Sequence, residues 1–206
     1  YIGQKRIDDF NNLSIMGLRL LMSMSVPAAI ILAVLAPNFV LVLFGSAYLP
    51  SVTSMQILSL SVITVAISNF MGYQILISLG KEKIVLYSTI IAALVNITLN
   101  LILIGPMGHN GAALASVTAE AAVSLYQLHY VSKYVPLKYS SNTVCSIAVP
   151  AVAMLGIMIL LKMLNMNLYF EVIIITITGL LTYAFLGKLL HNEAVISVSN
   201  KLSHSK

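Results

Sequence analysis

The sequence predicts an all-α integral membrane protein with six spanning helices and with both termini in the cytoplasm. Hydrophobic residues make up 59% of the 206 residues and charged residues only 8%, and the mean hydropathy is +0.98. So few charges could not cover a water-facing surface, so most of the surface must face lipid. The apolar residues also form six runs of about the 20 residues that a spanning helix needs. The basic residues lie in short clusters between these runs.

The predicted spans divide the chain into four segments. Residues 1–18 are a cytoplasmic segment, and residues 191–206 are a cytoplasmic tail. A core of four spans occupies residues 19–135, and two additional spans occupy residues 136–190. The six spans are predicted at 19–36, 52–79, 84–104, 111–135, 143–164 and 168–190.

Two features lie outside these spans. Residues 38–44 are apolar but too short to cross, so they predict a re-entrant or interfacial stretch. The chain begins with Tyr1 rather than methionine, which indicates a piece of a longer protein.

The positions of lysine and arginine predict the orientation of the spans, because basic residues are retained on the cytoplasmic side. They precede the first span, join the second span to the third and the fourth to the fifth, and follow the sixth, as Lys5, Arg6, Lys81, Lys83, Lys133, Lys138, Lys188, Lys201 and Lys206. On the opposite side, the only basic residue is Lys162. This distribution predicts an N-in, C-in topology.

The composition also limits the chemistry that we expect. One cysteine, Cys145, allows no intrachain disulfide, and the four histidines lack metal-ligand spacing. No nucleotide-binding or hydrolase motif occurs. The net charge is +5, and the basic residues lie between the apolar runs, where they act as topology signals. We therefore expect no enzyme activity, no cofactor, no metal and no nucleic-acid partner. Transport would draw on a coupling ion (proton or sodium) or on the gradient of the substrate.

Glu120 is the most informative polar residue. It follows Gly111 by nine positions, which places it ~13 Å into the membrane at 1.5 Å per residue. Ionisable groups at this depth are costly and usually functional. The residues Ser116, Glu120, Ser124 and Gln127 form one polar stripe, and the small residues Gly111, Ala115, Ala119 and Ala122 form the opposite face. The stripe lines a water-filled cavity or, alternatively, a protonated Glu120 bonds a neighbouring helix.

Polar residues in the second and third spans extend this pattern. Asn96 and Asn100 share a face of the third span, where they either join helices or bind a polar head group. Asn69, Tyr73 and Gln74 cluster in the second span and predict a helix that lines a hydrated path. The last two spans have little polarity, so we expect them to be a supporting wall.

The first span and the tyrosines each allow two interpretations. Arg19, at the cytoplasmic mouth, either extends to the lipid head groups or receives a phosphate. Pro27 predicts a kink or hinge within the first span. Tyr126, Tyr130 and Tyr134 recur at helical spacing, as an interfacial anchor belt or as a platform for stacking sugars.

Three stretches between residues 20 and 135 carry a family pattern. The first runs from Pro27 to Leu43-Phe44-Gly45-Ser46-Ala47-Tyr48, and the second from Ile67-Ser68-Asn69 through Gly72-Tyr73-Gln74 to Leu79-Gly80-Lys81-Glu82-Lys83. The third comprises Asn96, Leu99-Asn100, Gly108, Asn110-Gly111-Ala112-Ala113 and Glu120. Their order and spacing resemble the polysaccharide (O-antigen type) flippases of the MATE-like multidrug/oligosaccharidyl-lipid/polysaccharide superfamily. Gly105-Pro106 departs from the pattern, in which a proline commonly follows the isoleucine directly.

This resemblance implies two helical lobes around a cavity, of which the chain is a six-helix C-terminal lobe that works with the missing N-terminal lobe. It further implies that the protein flips undecaprenyl-diphosphate-linked oligosaccharide repeat units across the bacterial cytoplasmic membrane. Polymerase and glycosyltransferases of the same pathway would be further partners.

Four alternatives remain open. A drug or metabolite antiporter of the same superfamily would favour an aromatic-lined cavity, and a peptidoglycan-precursor flippase would carry more basic residues there. An integral polysaccharide polymerase or ligase would need a large outer loop. A purely structural assembly subunit is the fourth alternative.

Overall fold

The structure, a computed structural model, describes residues 7–136, 141–164, 166–190 and 192, and every regular element in this part of the chain is a helix. The predicted all-α membrane class is confirmed. The described part of the chain contains one 3-10 helix, Ser46–Ser51, one π-helix, Phe70–Ile77, and eight α-helices. The α-helices are α1 (Ile7–Val34), α2 (Ala36–Leu43), α3 (Val52–Ser59), α4 (Ser61–Asn69), α5 (Glu82–Met107), α6 (His109–Tyr134), α7 (Ser141–Lys162) and α8 (Leu168–Leu189).

Five helical stretches of the described chain are long and apolar enough to cross a membrane. They are Asp9–Val34, Ser46–Ile77, Glu82–Met107, Val144–Lys162 and Leu168–Leu189. The remaining predicted span lies in α6, which has 26 residues and is therefore about 39 Å long. Its polar residues keep it outside this apolar set. Helix α6 packs along α5 over its length. We therefore keep the prediction that α6 also crosses the membrane.

The observed helices differ from the predicted spans at three places. Helix α1 begins at Ile7, so polar residues that we assigned to a cytoplasmic segment extend the first helix. The second predicted span is built from α3, α4 and the π-helix in succession. Residues 38–44 fall largely in α2, whose eight residues are too few to cross. Leu35 separates α1 from α2, and Pro37 suits the first turn of α2 because a proline there loses no helical hydrogen bond.

Helices α5 and α6 form an antiparallel hairpin. Gly108 makes the turn between them with a φ of 55°, in the left-handed region that favours glycine. Residue pairs along the seam then face each other in reverse order: Leu103 with Gly111, Asn96 with Ser116, and Ser88 with Gln127. Three of the four residues of the predicted small-residue face, Gly111, Ala115 and Ala119, are buried, and Gly111 packs against Leu103 in this seam.

Two separate apolar cores hold the helices together. The first core joins α1, the π-helix and α6 through Leu18, Met71, Ile75, Leu76, Val131 and Val135. The second core joins the end of α1 to α7 and α8 through Leu35, Ala151, Met154, Met158, Ile175 and Tyr183. Helix α1 contributes to both cores and connects the hairpin to the last two helices.

Candidate functional site: a polar cavity between α4, α5 and α6

A cavity of about 160 Å³ lies between the α4/π-helix segment, α5 and α6. This volume would hold about five water molecules at ~30 Å³ each. Four of the residues that the sequence predicted for the site line it together: Asn69, Tyr73, Glu120 and Gln127. The other lining residues are Ser68, Gly72, Val85, Thr89, Ala92 and Val123.

Helix α6 contributes the charged wall of the cavity. Glu120, Val123 and Gln127 lie at positions i, i+3 and i+7, which share one helix face. Glu120 is about 16 Å from the start of α6 at His109 and about 21 Å from its end at Tyr134, at 1.5 Å per residue. Its carboxylate is the only formal charge among the ten lining residues, and it lies near the middle of the helix.

Gln127 is held in one orientation by a short hydrogen-bond chain. Its side chain is 3% exposed, and its Nε2 donates to Ser88 Oγ at 3.0 Å. Ser88 Oγ in turn donates its only proton to the Val85 carbonyl at 2.7 Å. Ser88 can therefore only accept from Gln127, so the amide nitrogen must face Ser88. The Gln127 Oε1 has no hydrogen-bond partner among the described residues.

Gly72 makes room for this amide. A Cβ at Gly72 would lie 3.3 Å from Gln127 Nε2 and 3.5 Å from Oε1, so a larger side chain would press on the oriented group. Gly72 belongs to the π-helix Phe70–Ile77, and π-helical turns inside α-helices occur frequently at functional sites. The wider turn and the glycine together give α6 close access to this segment.

The remaining residues of the two predicted stripes do not line the cavity, and most of them bond a neighbouring helix. Ser124 Oγ donates to the Thr64 carbonyl at 2.8 Å, which links α6 to α4. Asn96 Nδ2 donates to Ser116 Oγ at 3.5 Å, and Asn100 Nδ2 donates to Asn96 Oδ1 at 2.8 Å. The bond of Asn96 joins α5 to α6, whereas the bond of Asn100 lies within α5, and the roles of the two asparagines stay a prediction.

Three other predicted site residues are not among those that line the cavity. Gln74 is exposed on the π-helix, one residue beyond Tyr73. Arg19 and Pro27 are both on α1, half-buried and buried respectively, and neither lines the cavity. Helix α1 continues through Pro27, so its role as a hinge stays a prediction.

The tyrosines at the end of α6 contact one another and two lysines. The rings of Tyr126 and Tyr130 are 5.0 Å apart, and Lys133 Nζ lies 4.7 Å from the centre of the Tyr130 ring. Lys81 Nζ lies 5.3 Å from the Tyr134 ring, which ties the turn before α5 to the end of α6. Aromatic rings with adjacent cations are typical of a membrane interface, as the anchor-belt interpretation expects.

Sequence reasoning missed two polar elements. Ser88 orients Gln127, and its position eight residues before Asn96 could have placed it on the same face of α5. The last two helices also carry more polarity than expected: Lys162 Nζ donates to the Val34 carbonyl at 2.6 Å, and the buried carboxylate of Glu171 attracts Lys162. Glu171 is a lone charge in the first turn of an apolar helix, which was the available signal.

The fold and the cavity define a class: a multi-pass α-helical membrane protein with a polar cavity among its spans, an architecture typical of transporters. The family model described as "Lipid II flippase MurJ" matches residues 2–179. The chain therefore belongs to this family of lipid-linked flippases, which are transporters and not enzymes. No curated protein matches the chain. The prediction of a flippase for lipid-linked precursors is thus confirmed at the level of class, and the polymerase or ligase alternative is excluded.

Proposed function

We propose that the full-length protein flips an undecaprenyl-diphosphate-linked oligosaccharide repeat unit across the bacterial cytoplasmic membrane, with this chain as its C-terminal lobe. The lining of the cavity is the observation that carries this proposal. It combines a carboxylate, two amides and several hydroxyls with no lysine or arginine among its ten residues. Such a lining suits the hydroxyl groups of a neutral sugar better than an anionic head group. Tyr73 is its only aromatic residue, which disfavours a drug antiporter.

The rest of the lobe fits a substrate that is half sugar and half lipid. Helix α5 turns a continuous apolar face outward, with Leu94, Leu101 and Ile102 at 61%, 82% and 60% exposure. A prenyl tail would stay in the bilayer beside such a face while the sugar occupies the polar side. Alternating access would come from rocking this lobe against the N-terminal lobe, with a proton or sodium gradient or the substrate's own gradient as the driving force. Protonation or cation contact at Glu120 would couple an ion gradient to the cycle.

A second candidate substrate is lipid II, the peptidoglycan precursor in the name of the matching family. The family match favours it, whereas the absence of basic residues among the cavity-lining residues favours the repeat unit. Both are sugar precursors on a lipid carrier, so a complementation experiment must separate them.

The full-length protein should be expressed in two hosts, one deleted for its repeat-unit flippase and one depleted of its lipid II flippase. We expect surface polysaccharide to return in the first host, because the cavity lacks basic residues, and no growth rescue in the second. Rescue of the second host alone would assign lipid II as the substrate. Rescue of neither host, with normal membrane expression, would contradict the proposed function.

Glu120 variants test the coupling role in the same host. We expect Glu120→Gln and Glu120→Ala to lower surface polysaccharide at least tenfold, because an ionisable group near the membrane centre is retained for function. Glu82→Gln is the matched control, since Glu82 is an exposed carboxylate in the first turn of α5 that does not line the cavity. Full activity of both Glu120 variants at normal expression would exclude the role.

A further inference from the structure

We infer that this cavity is a hydrogen-bond acceptor site, built to receive donor groups such as sugar hydroxyls or an ammonium, and not the diphosphate. The inference rests on the proposed function and adds to it which end of the lipid-linked substrate enters the cavity. Gln127, oriented by Ser88, would then be a residue that determines specificity.

The serine and threonine hydroxyls that line the cavity already donate their protons within their own helices. Thr89 Oγ1 donates to the Val85 carbonyl at 3.1 Å, and Ser68 Oγ donates to the Val65 carbonyl at 3.2 Å. A hydroxyl has one proton and two lone pairs. Both hydroxyls can therefore only accept a hydrogen bond from a ligand.

The Gln127 amide has the same polarity toward the cavity. Its Nε2 is used by Ser88 at 3.0 Å, while its Oε1 is buried without a partner among the described residues. A buried acceptor without a partner costs free energy comparable to a lost hydrogen bond. A donor from a ligand in the adjacent space would remove this cost. The unused acceptor therefore points to the kind of group that fits.

The charge of the lining agrees with these proton positions. Glu120 adds an anionic acceptor, and the lining contains no lysine, arginine or histidine. The donors that remain are the second N–H of the Gln127 amide, which Ser88 does not use, and the Asn69 amide and Tyr73 hydroxyl, both on exposed side chains. A diphosphate in this cavity would face a carboxylate without a compensating cation, which disfavours it.

The experiment compares two lipids that differ only in the sugar. Full-length protein in nanodiscs is titrated with undecaprenyl-diphosphate-linked oligosaccharide and, separately, with undecaprenyl diphosphate. We expect Gln127→Met to weaken binding of the sugar-bearing lipid about five- to tenfold, the effect of losing one or two hydrogen bonds. Binding of undecaprenyl diphosphate should change less than twofold. Gln74→Met, on an exposed glutamine outside the cavity, should change neither affinity.

Because Gln127 is buried, its replacement could disturb folding, so a second variant tests the inference at an exposed position. Thr89→Val removes an acceptor from an exposed side chain of nearly the same shape, and it should again weaken only the sugar-bearing lipid, by about threefold to fivefold. Equal loss for both lipids, or no loss in either variant, would overturn the inference. If the unmodified protein bound neither lipid, the proposed function itself would fail.

A cation could satisfy the same acceptors, so the titration is repeated in sodium, ammonium and choline chloride. If the sugar donates the hydrogen bonds, the two variants should lose the same affinity for the sugar-bearing lipid in all three salts. A loss seen in sodium or ammonium but absent in choline would support the acceptor site and assign its ligand as a small cation.

Discussion

The chain has two halves, α4 to α6 and α7 to α8, and the helices within each half are held together by a different kind of contact. The α5–α6 hairpin and its neighbour α4 are joined by directional bonds, among them Ser124 to the Thr64 carbonyl and Gln127 to Ser88. Helices α7 and α8 pack mainly through an apolar core, in which Met154 and Met158 are fully buried, and one polar link, from Asn192 Nδ2 to the Ser146 carbonyl, lies beyond the end of α8. Lipid gives no hydrophobic drive for helix association. The directional bonds fix the positions of side chains around the cavity, whereas the methionines fill space without fixing it.

Each half offers a crowded helical glycine and an open one, which makes the comparison testable. A Cβ at Gly111 would collide with the Leu103 backbone carbonyl across the hairpin, whereas Gly105 has nothing within 4 Å. A Cβ at Gly179 would meet the Met158 side chain at 3.0 Å, whereas Gly156 has nothing within 4 Å. A backbone obstacle cannot move aside, but a methionine can change its rotamer.

The largest effect is expected for Gly111→Ala. Because the obstacle is backbone, we expect a loss of about 3 kcal/mol in the free energy of unfolding, at the upper end for overpacking. Gly105→Ala is the matched control and should gain up to about 1 kcal/mol from helix propensity. Both are measured on the full-length protein by SDS titration in mixed micelles. A Gly111→Ala protein as stable as its control would mean that the hairpin seam is not rigid.

Lys162→Met should have the next largest effect, at the contact of α7 with α1, the helix that connects the two halves. Lys162 donates to Val34, the last residue of α1, where a cation stabilises the exposed carbonyls of the helix end. Its removal also leaves the buried Glu171 without this nearby cation. We expect a loss of about 2 kcal/mol, measured in the same titration.

The control for this contact is Lys188→Met, an exposed lysine in the last turn of α8. It should cost less than about 0.5 kcal/mol. Equal costs for the two lysines would show that the contact with α1 contributes no stability.

Local periodicity could predict the helices and the face on which Glu120 and Gln127 lie, because both depend on positions within one helix. It could not predict that Asn69 and Tyr73 line the same cavity as Glu120, since this depends on how α4 and the π-helix are rotated against α6. The π-helix within the second predicted span also has no clear signal in composition. The contact of Lys162 with Val34 joins positions 128 residues apart, beyond any local pattern.

Ser124→Ala tests the directional bonds of the hairpin half at a single contact. It removes the 2.8 Å bond to the Thr64 carbonyl and should cost about 0.6 kcal/mol, the average for interhelical hydrogen bonds in membranes. Ser132→Ala is the control, because the Ser132 hydroxyl donates within its own helix to the His129 carbonyl. If the two variants lost the same stability, the bond between α6 and α4 would not hold the helices together.

Gly179→Ala should have the smallest effect, although on geometry alone it is also a crowded glycine. The Met158 Sδ lies 3.0 Å and its Cγ 3.1 Å from the added carbon, and an unbranched side chain with three rotatable bonds can withdraw. The cost of crowding, about 1 kcal/mol, is then offset by the ~1 kcal/mol that alanine gains over glycine in a helix. We expect a change within about 0.5 kcal/mol, with Gly156→Ala as the open control. A loss as large as that of Gly111→Ala would show that the methionine core is as rigid as the hairpin. The difference between the halves would then lie in their polarity alone.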